Sequence, residues 1–360
     1  MSPFQLKFFL LNKNWYFPKI VFFNLILPDD NELHYYEDPK TVIQRLRMTS
    51  GPFRKRRSSN TTFPDLQITE IHSFEDYLNH AHVHHDDHLA IWSIEKTLTP
   101  STPKSFTLDG YCYICQTKVD FLIDFKNAFN FEGELLPNWR ERVLCPNCHL
   151  NNRMRATKHI FDHICRPHLQ ASIFIAEQTT PLYTCFKQTF PHIQGSEFLG
   201  DSKYPGSYHL KLIRKFTFKK IRHEDLTHLS FENGRFDYIL AFDVFEHIPQ
   251  YKKALAECYR CLKEGGILFF SVPFVKTAEK NVIRATISDT GRVTHLLPPE
   301  YHGNPLSPSG LLCYYHFGWE LVGELHSVGF QDTKILLYWS RELGYLGGEQ
   351  ILFKATKPAL

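Results

Sequence analysis

Four cysteines in this chain have the number and spacing of a metal site. Cys112 and Cys115 form one C-x-x-C pair, and Cys145 and Cys148 form a second pair after 29 intervening residues. Each pair can present two thiolates from one tight turn, and two pairs complete the tetrahedron that Zn²⁺ prefers. Because four thiolates leave no open position for water, the sequence predicts a structural zinc site.

Two further clusters have residue types that can bind a metal. Cys258 and Cys261 lie on one face of a predicted helix, where small apolar packing is the better explanation. His80, His84 and His88 share a face of a helix predicted over residues 73–98 and could hold a metal. No third element is expected to face these histidines, so the sequence favours a solvated helix face.

The acid Asp243 stands at the end of an apolar strand, Phe236–Phe242. A helix is predicted from about residue 249 to 262, and a second apolar strand covers 267–272. Strand, helix and strand at this spacing form a parallel crossover, in which the carboxyl ends of the strands border a ligand cleft. The sequence therefore predicts an α/β, doubly wound sheet.

This unit resembles the class I S-adenosylmethionine-dependent methyltransferases. Their pattern is an acid with an apolar neighbour, then F-D-hydrophobic, D-x-x-E-H and L-K-x-G-G. The chain matches it in order with Asp225-Leu226, Phe236-Asp237-Tyr238-Ile239, Asp243-Val244-Phe245-Glu246-His247 and Leu262-Lys263-Glu264-Gly265-Gly266. The resemblance implies a Rossmann-like, seven-stranded methyltransferase sheet preceded by a small zinc ribbon, with S-adenosyl-L-methionine as the cofactor.

The cysteine module also resembles the N-terminal zinc ribbon of a bacterial subgroup of these enzymes. The subgroup accompanies sugar and polysaccharide biosynthesis, which implies a glycan or other small-molecule acceptor, with O-methylation favoured. Arg153 and Arg155 follow the second cysteine pair on the helix that joins the two domains. They could bind phosphate, but we favour a structural role in which they pair with acids of the adjoining domain.

The chemical groups of this donor indicate which residues would contact it. A ribose diol takes a carboxylate at the end of the second strand, as in dinucleotide sites, which indicates Glu197. Asp225 would accept from the adenine amine while Leu226 packs on the ring. Asp243 would close the cleft near the sulfonium and the amino acid end.

The loop after the first strand, residues 172–181, departs from the family pattern because it contains no glycine. Glu177 can still take the acidic position of that loop, and Thr179 or Thr180 can cap the helix that follows. A methyltransferase fold that has lost its cofactor would show the same departure. A non-catalytic, zinc-containing interaction protein therefore remains an alternative.

An insertion at about residues 274–317 is rich in proline, glycine and histidine, and it is predicted to form a lid over the acceptor. Methyl transfer to oxygen uses a base near the nucleophile, and histidine is the usual choice at neutral pH. His302 is the first candidate for the catalytic base and His316 is the second. The alternative is that these histidines only hold the lid in place.

These features divide the chain into three predicted parts: residues 1–104, of unknown role with one helix; 105–168, the zinc ribbon and linking helix; and 169–360, the methyltransferase domain. The net charge of +3 disfavours nucleic acid as a partner, although an RNA methyltransferase remains an alternative. Paired cysteines indicate a reducing compartment, and the apolar N-terminal stretch is too interrupted to span a membrane. We expect a cytoplasmic protein.

Overall fold

The computed structural model describes residues 63–131, 133–214, 217–304 and 306–359. The basic run at residues 54–57 and the apolar start of the chain lie outside the described residues. Within the described ranges, the helices all fall short of the length and apolar character that crossing a membrane requires.

The described helices and strands are numbered in chain order. The helices are α1 (Phe74–Val83), α2 (His85–Leu98), α3 (Trp139–Arg142), α4 (Asn152–Ile160), α5 (Pro181–Thr189), α6 (Tyr251–Cys261) and α7 (Glu320–Val328). The strands are β1 (Ile68–Ile71), β2 (Phe106–Cys112), β3 (Thr117–Ile123), β4 (Phe129–Phe131), β5 (Glu134–Leu136), β6 (Ile173–Ile175), β7 (Gln194–Gly195), β8 (Tyr208–Arg214), β9 (Thr217–Arg222), β10 (Phe236–Phe242), β11 (Leu262–Ser271), β12 (Val282–Ile283), β13 (Ala285–Ile287), β14 (Val293–His295), β15 (Tyr301–Asn304), β16 (Ser307–Leu312), β17 (Tyr315–His316), β18 (Gln331–Ser340) and β19 (Tyr345–Thr356).

A seven-stranded mixed sheet lies at the centre, in the order β1-β18-β19-β11-β10-β6-β7. Strands β11, β10, β6 and β7 are parallel, whereas β19 runs antiparallel to both β11 and β18. The expected crossover is present as β10, α6 and β11, and its first strand has the predicted bounds. The carboxyl ends of the four parallel strands therefore meet at one edge of the sheet.

The apolar side chains of these strands form the core between the sheet and its helices. All three residues of β6 are buried, as are Cys258 and Cys261 on the inner face of α6. The prediction that this cysteine pair packs in the core is confirmed. A strand buried on both faces reads as a short continuous apolar run, which is why the sequence of β6 shows no alternation.

The N-terminal part of the described chain contributes the edge strand β1, which the sequence did not predict. Ile68 lies opposite Tyr338 and Ile71 opposite Ile335 in an antiparallel pair with β18. The long helix predicted after it is divided into α1 and α2 at His84, whose ψ of 23° interrupts the helix. Ser73 caps α1, since its Oγ accepts from the Asp76 N–H at 3.0 Å.

The cysteine module is a hairpin of β2 and β3 followed by α3 and α4. Its core includes Phe121 and Trp139, both almost fully buried, and it packs on Leu346 of β19. Arg341 donates to the Asp109 carbonyl at 2.7 Å, which joins the β18–β19 turn to β2. The module therefore lies against the hairpin formed by β18 and β19.

The predicted lid consists of three short two-stranded ribbons, β12 with β17, β13 with β14, and β15 with β16. It is anchored at the sheet edge, because the Tyr314 N–H donates to the Glu246 carbonyl at 2.7 Å and a bridge joins Phe274 to Phe317. The insertion is therefore held against the carboxyl end of β10.

Candidate functional site

The four paired cysteines come together as the spacing predicted. Their sulfur atoms all lie within 4.8 Å of one another, with Sγ–Sγ distances of 3.8 Å for Cys112–Cys148 and for Cys115–Cys145. All four are free thiols. Four sulfurs at about 2.3 Å from one ion lie about 3.8 Å apart at tetrahedral angles, so these two separations match those of a zinc-bound cluster.

A large cavity of about 2060 Å³ opens at the carboxyl edge of the sheet. It reaches from the cysteine module past the ends of β6, β7 and β10 to the lid. Among its lining residues are nearly all the predicted donor and acceptor residues: Glu177, Glu197, Asp225, Leu226, Asp243 and His302. His316 belongs to the layer behind the lining and is almost fully buried.

The glycine-free loop after β6 is held by the two carboxylates that the sequence singled out. Glu197 Oε1 accepts from the backbone N–H groups of Gln178 and Thr179, both at 2.8 Å. Thr180 caps α5, since its Oγ1 accepts from the Tyr183 N–H at 3.0 Å. Glu197 thus supplies the turn with the hydrogen bonds that shape it, in place of glycine flexibility.

Glu177 is the acid of the loop itself, and its two carboxylate oxygens differ in their contacts. Its Oε2 accepts from the Thr180 hydroxyl, but its buried Oε1 has no hydrogen-bond partner among the described residues. Burial raises the pKa of Glu177 to about 7. A buried carboxylate with one unused oxygen at the edge of a cavity is suited to bind a cationic group of a ligand.

The Asp225 carboxylate is positioned by its own turn. Oδ1 accepts from the backbone N–H and the hydroxyl of Thr227, both at 2.8 Å. An isolated parallel bridge from Glu197 to His223 places the segment before Asp225 beside the segment after β7. Glu197, Asp225 and the neighbouring Leu226 therefore line one side of the cavity.

The Asp243 carboxylate is bound by two arginines of the cysteine module. Arg140 donates to both of its oxygens at 2.9 and 2.8 Å, and Arg153 Nε lies 3.4 Å from Oδ2. Glu141 completes the cluster, accepting from Arg140 at 2.7 Å and from Arg153 at 2.8 Å. The expectation that Arg153 pairs with an acid of the adjoining domain is confirmed. The same expectation for Arg155 is wrong, because its guanidinium donates to the backbone carbonyls of Leu343 and Gly344.

The two arginines of this cluster determine the charge state of Asp243. Burial alone would raise its pKa, but the guanidinium groups of Arg140 and Arg153 hold the pKa well below its usual range. Its φ of 53° lies in the left-handed region, which aspartate tolerates better than most residues. Asp243 therefore stays charged and holds Arg140 and Arg153 at the cavity wall.

The lid histidines belong to a second charged network. Glu300 Oε1 lies 2.9 Å from His302 Nε2 and 3.1 Å from His316 Nε2, and its Oε2 lies 3.2 Å from Arg284. Burial lowers the pKa of His302, but its acidic neighbours Cys313, Glu246 and Glu300 outweigh this and raise the pKa to about 12. A proton held so tightly opposes a base role at neutral pH, so the assignment of His302 and His316 stays a prediction.

The histidines of α1 and α2 do not form a solvated face, which corrects the expectation from the sequence. His80 Nε2 and His88 Nε2 each lie 2.9 Å from one oxygen of Glu349 on β19, while His84 pairs with Asp87 at the surface. His80 is 8% exposed. The sequence could not reveal Glu349 as the facing acid, because it follows by more than 250 residues.

Comparison with known proteins supports the same region. Residues 207–270 match the family model described as a methyltransferase domain, which is less than a fifth of the chain. No curated protein matches the chain. The family match supports a methyltransferase domain in this part of the chain.

Solved structures with similar folds include an N1-methyltransferase from Burkholderia thailandensis with bound S-adenosylhomocysteine and 1,6-didemethyltoxoflavin (17% identity, 57% of this chain and 78% of that chain, TM-score 0.32). Another is an S-adenosylmethionine-dependent methyltransferase from Mesorhizobium loti (12%, 58% and 99%, 0.36). A third is the [4+2]-cyclase SpnF (13%, 57% and 81%, 0.32). Likenesses at these values do not assign an activity.

Replacing Glu177 with glutamine is expected to stabilise the free protein and to weaken donor binding. The pKa raised to about 7 means that the native state retains a proton that the unfolded chain releases above its ordinary value near 4.5. The wild type therefore loses stability as the pH rises from about 4.5 to 7, and Glu177→Gln removes that loss. Thermal unfolding at pH 5.5 and pH 8 checks this, with the gain in melting temperature larger at pH 8.

The binding arm of the same experiment uses S-adenosylhomocysteine. Its affinity for the wild type should rise from pH 6 to pH 8 as Glu177 ionises, and the affinity of Glu177→Gln should be weaker and nearly independent of pH. Thr184→Val, an exposed change on the next helix, is the control. A variant that keeps the wild-type affinity and pH profile would contradict the role given to Glu177.

Proposed function

We propose that this protein is an S-adenosylmethionine-dependent methyltransferase that acts on a small-molecule or glycan acceptor. The observation that supports it most directly is the convergence of Glu177, Glu197, Asp225 and Leu226 on one cavity at the carboxyl edge of a parallel sheet. This edge is where open α/β sheets bind their ligands. The match of residues 207–270 to the methyltransferase domain family supports the same proposal.

The charges of the cavity wall fit the two ends of the donor. The unused oxygen of Glu177 would accept from the ammonium group of the methionine part, and Arg140 and Arg153 would face its carboxylate. Glu197 would bind the ribose diol, with Asp225 and Leu226 on adenine. The cysteine module thus provides cations for a site whose acids come from the sheet domain.

The proposed zinc ion is structural. Cys112, Cys115, Cys145 and Cys148 supply four thiolates at tetrahedral spacing, and a closed tetrathiolate site has no position for substrate. The second cysteine pair lies between Glu141 and Arg153, so folding around zinc would hold these charged residues beside Asp243. We assign zinc the role of positioning the donor cavity.

Methyl transfer in this site would be an in-line displacement at the sulfonium methyl group, with the protein contributing chiefly orientation. The lid provides the acceptor side of the cavity. Transfer to oxygen is favoured because the zinc-ribbon resemblance implies a sugar-type acceptor. The acceptor class follows from the zinc-ribbon resemblance and from the modest net charge of +3, which disfavours nucleic acid.

Calorimetric titration of the zinc-loaded protein with S-adenosylhomocysteine tests the proposal. We expect micromolar binding by the wild type and a loss of at least about tenfold in Asp225→Ala, since a hydrogen bond from a charged group contributes about 1.5–3 kcal/mol. Asp86→Ala, which removes an exposed acid of α2, is the matched control. Absence of binding by a folded, zinc-loaded wild type would favour a non-catalytic interaction protein.

A further inference from the structure

The carboxylate of Glu246 is buried without a hydrogen bond. The residue is 0% exposed, and both of its oxygens lack a hydrogen-bond partner among the described residues. The nearest imidazole nitrogens face Oε1: His302 Nδ1 at 3.5 Å and His247 Nε2 at 3.7 Å. These separations exceed ordinary hydrogen-bond lengths, and an unsatisfied buried carboxylate is strongly unfavourable. The Glu246 carboxylate and the two imidazoles therefore face one another as the ligands of a single metal ion do.

Both imidazoles are held from behind in the orientation that a metal ligand needs. His247 Nδ1 lies 2.8 Å from the Leu312 carbonyl, which can only accept, so Nδ1 carries the proton and the lone pair of Nε2 faces Glu246. His302 Nε2 lies 2.9 Å from Glu300, leaving Nδ1 toward Glu246. A histidine whose second nitrogen contacts a carbonyl or a carboxylate is the usual arrangement at metal sites.

We propose that Glu246, His247 and His302 bind a divalent transition-metal ion at the floor of the lid. Their ligand atoms lie within 4.8 Å of one another. Ligands at about 2.1 Å from one ion are about 3.0–3.4 Å apart, so the two carboxylate–imidazole separations of 3.5 and 3.7 Å need to shorten by only a few tenths of an ångström. Two imidazoles and one carboxylate favour zinc, cobalt, iron or manganese over magnesium or calcium.

Two neighbouring clusters lack this character. Glu300, with Cys313 and His316, already pairs with the Arg284 guanidinium at 3.2 Å, and a cation there would be repelled. The Glu349 carboxylate lies 2.9 Å from both His80 and His88. The buried ammonium group of Lys276 beside it adds a further positive charge. Of the histidine clusters in the described residues, the one at Glu246 has a buried carboxylate with neither oxygen hydrogen-bonded, whereas one oxygen of Glu349 already forms a hydrogen bond with His80.

The position of the site indicates its use. Glu246, His247 and His302 all line the donor cavity, and three protein ligands leave coordination positions for a ligand from that side. Resting on the proposed function, we assign these positions to an oxygen of the acceptor. Metal binding lowers the pKa of that hydroxyl, so its proton passes to water. The oxygen then forms a bond to the methyl carbon as the S–C bond breaks, and the electron pair of the broken S–C bond stays on sulfur.

Calorimetric titration of the full, zinc-loaded chain with Co²⁺, without any donor, tests the site. We expect one Co²⁺ per chain beyond the cysteine-bound zinc, and an affinity at least about 100-fold weaker in Glu246→Gln and in His302→Gln. Glu246→Gln should fold well, because it removes an unsatisfied buried charge while keeping the shape of the side chain. His88→Gln is the matched control and should bind Co²⁺ as the wild type does.

Absence of Co²⁺ binding beyond the zinc in folded wild type would overturn the inference. It would equally be overturned by unchanged affinity in Glu246→Gln, or by loss of binding in His88→Gln, which would place the ion at Glu349. Because the Co²⁺ titration contains neither S-adenosylmethionine nor S-adenosylhomocysteine, its outcome is independent of the S-adenosylhomocysteine titration. Binding of Co²⁺ without any donor affinity would support the metal site and reject only its role in methyl transfer.

Discussion

Replacement of Cys145 by serine is expected to abolish zinc binding and to destabilise the protein by several kcal/mol. Cys145 is fully buried, and its sulfur lies 3.8 Å from that of Cys115. The free energy of binding structural zinc becomes folding free energy, at about 10–16 kcal/mol in small zinc modules. The zinc content of purified protein should fall from about one per chain to a small fraction, with a large drop in the melting temperature.

The loss should extend to the donor site, because Glu141 and Arg153 flank this cysteine pair and hold the Asp243 cluster. S-adenosylhomocysteine binding by Cys145→Ser should therefore fall at least tenfold even at temperatures where the sheet domain remains folded. Cys165→Ser, outside the four-cysteine cluster, is the control and should retain zinc. A zinc-free Cys145→Ser protein with the stability of the wild type would contradict a structural role.

The second large effect is expected from Arg155→Met. The Arg155 side chain is 0% exposed, lies 3.9 Å above the Phe121 ring, and donates to the carbonyls of Leu343 at 2.6 Å, Gly344 at 3.2 Å and Val143 at 3.3 Å. Methionine fills the space but leaves three carbonyls without this donor. Because unsatisfied buried acceptors cost about 1–3 kcal/mol each, we expect a loss of about 3–5 kcal/mol.

Urea unfolding of the zinc-loaded protein measures this loss as a lower unfolding midpoint. Arg166→Met is the matched control, since Arg166 is exposed and donates only to the nearby His163 carbonyl. Its effect should stay within about 0.5 kcal/mol. Equal midpoints for the two variants would show that Arg155 is not the connection between the cysteine module and the β18–β19 turn.

Local patterns were sufficient to predict the elements with short-range signals. The strand Phe236–Phe242 has the bounds expected from its apolar run, and the two C-x-x-C pairs meet because each is a single turn. Thr179 and Thr180 were both candidates for the cap of α5, and Thr180, which stands directly before Pro181 in the first helical turn, is the residue that caps it. Each of these features depends on residues within a few positions of one another.

The features that the sequence did not reveal all join distant parts of the chain. Strand β1 pairs with β18 from the far end of the chain, and nothing in four residues encodes that partner. Glu349 similarly meets the His80 and His88 side chains across the fold. Asp243 lines the cavity, but its contacts with Arg140 could not be predicted from the local sequence, because they arise where the cysteine module docks on the sheet. Such contacts follow from tertiary packing, which overrides local preference.

The docking of the cysteine module explains how a glycine-free loop can border a donor site. The positions that glycines would occupy are shaped by Glu197, which accepts from the loop's N–H groups, and the cavity wall is completed by Arg140 and Arg153. The site therefore has parts from both regions. Neither region alone contains the cations and the acids that the proposed donor requires.

The most direct test is a crystal structure of the zinc-loaded protein with S-adenosylhomocysteine. The proposal expects the adenine beside Asp225 and Leu226, the ribose hydroxyls on Glu197, and the amino group within hydrogen-bond distance of Glu177. Zinc should be bound by the four cysteines. A ligand bound outside this cavity, or an empty cavity in crystals soaked at saturating concentration, would contradict the assignment of this edge of the sheet as a methyl-donor site.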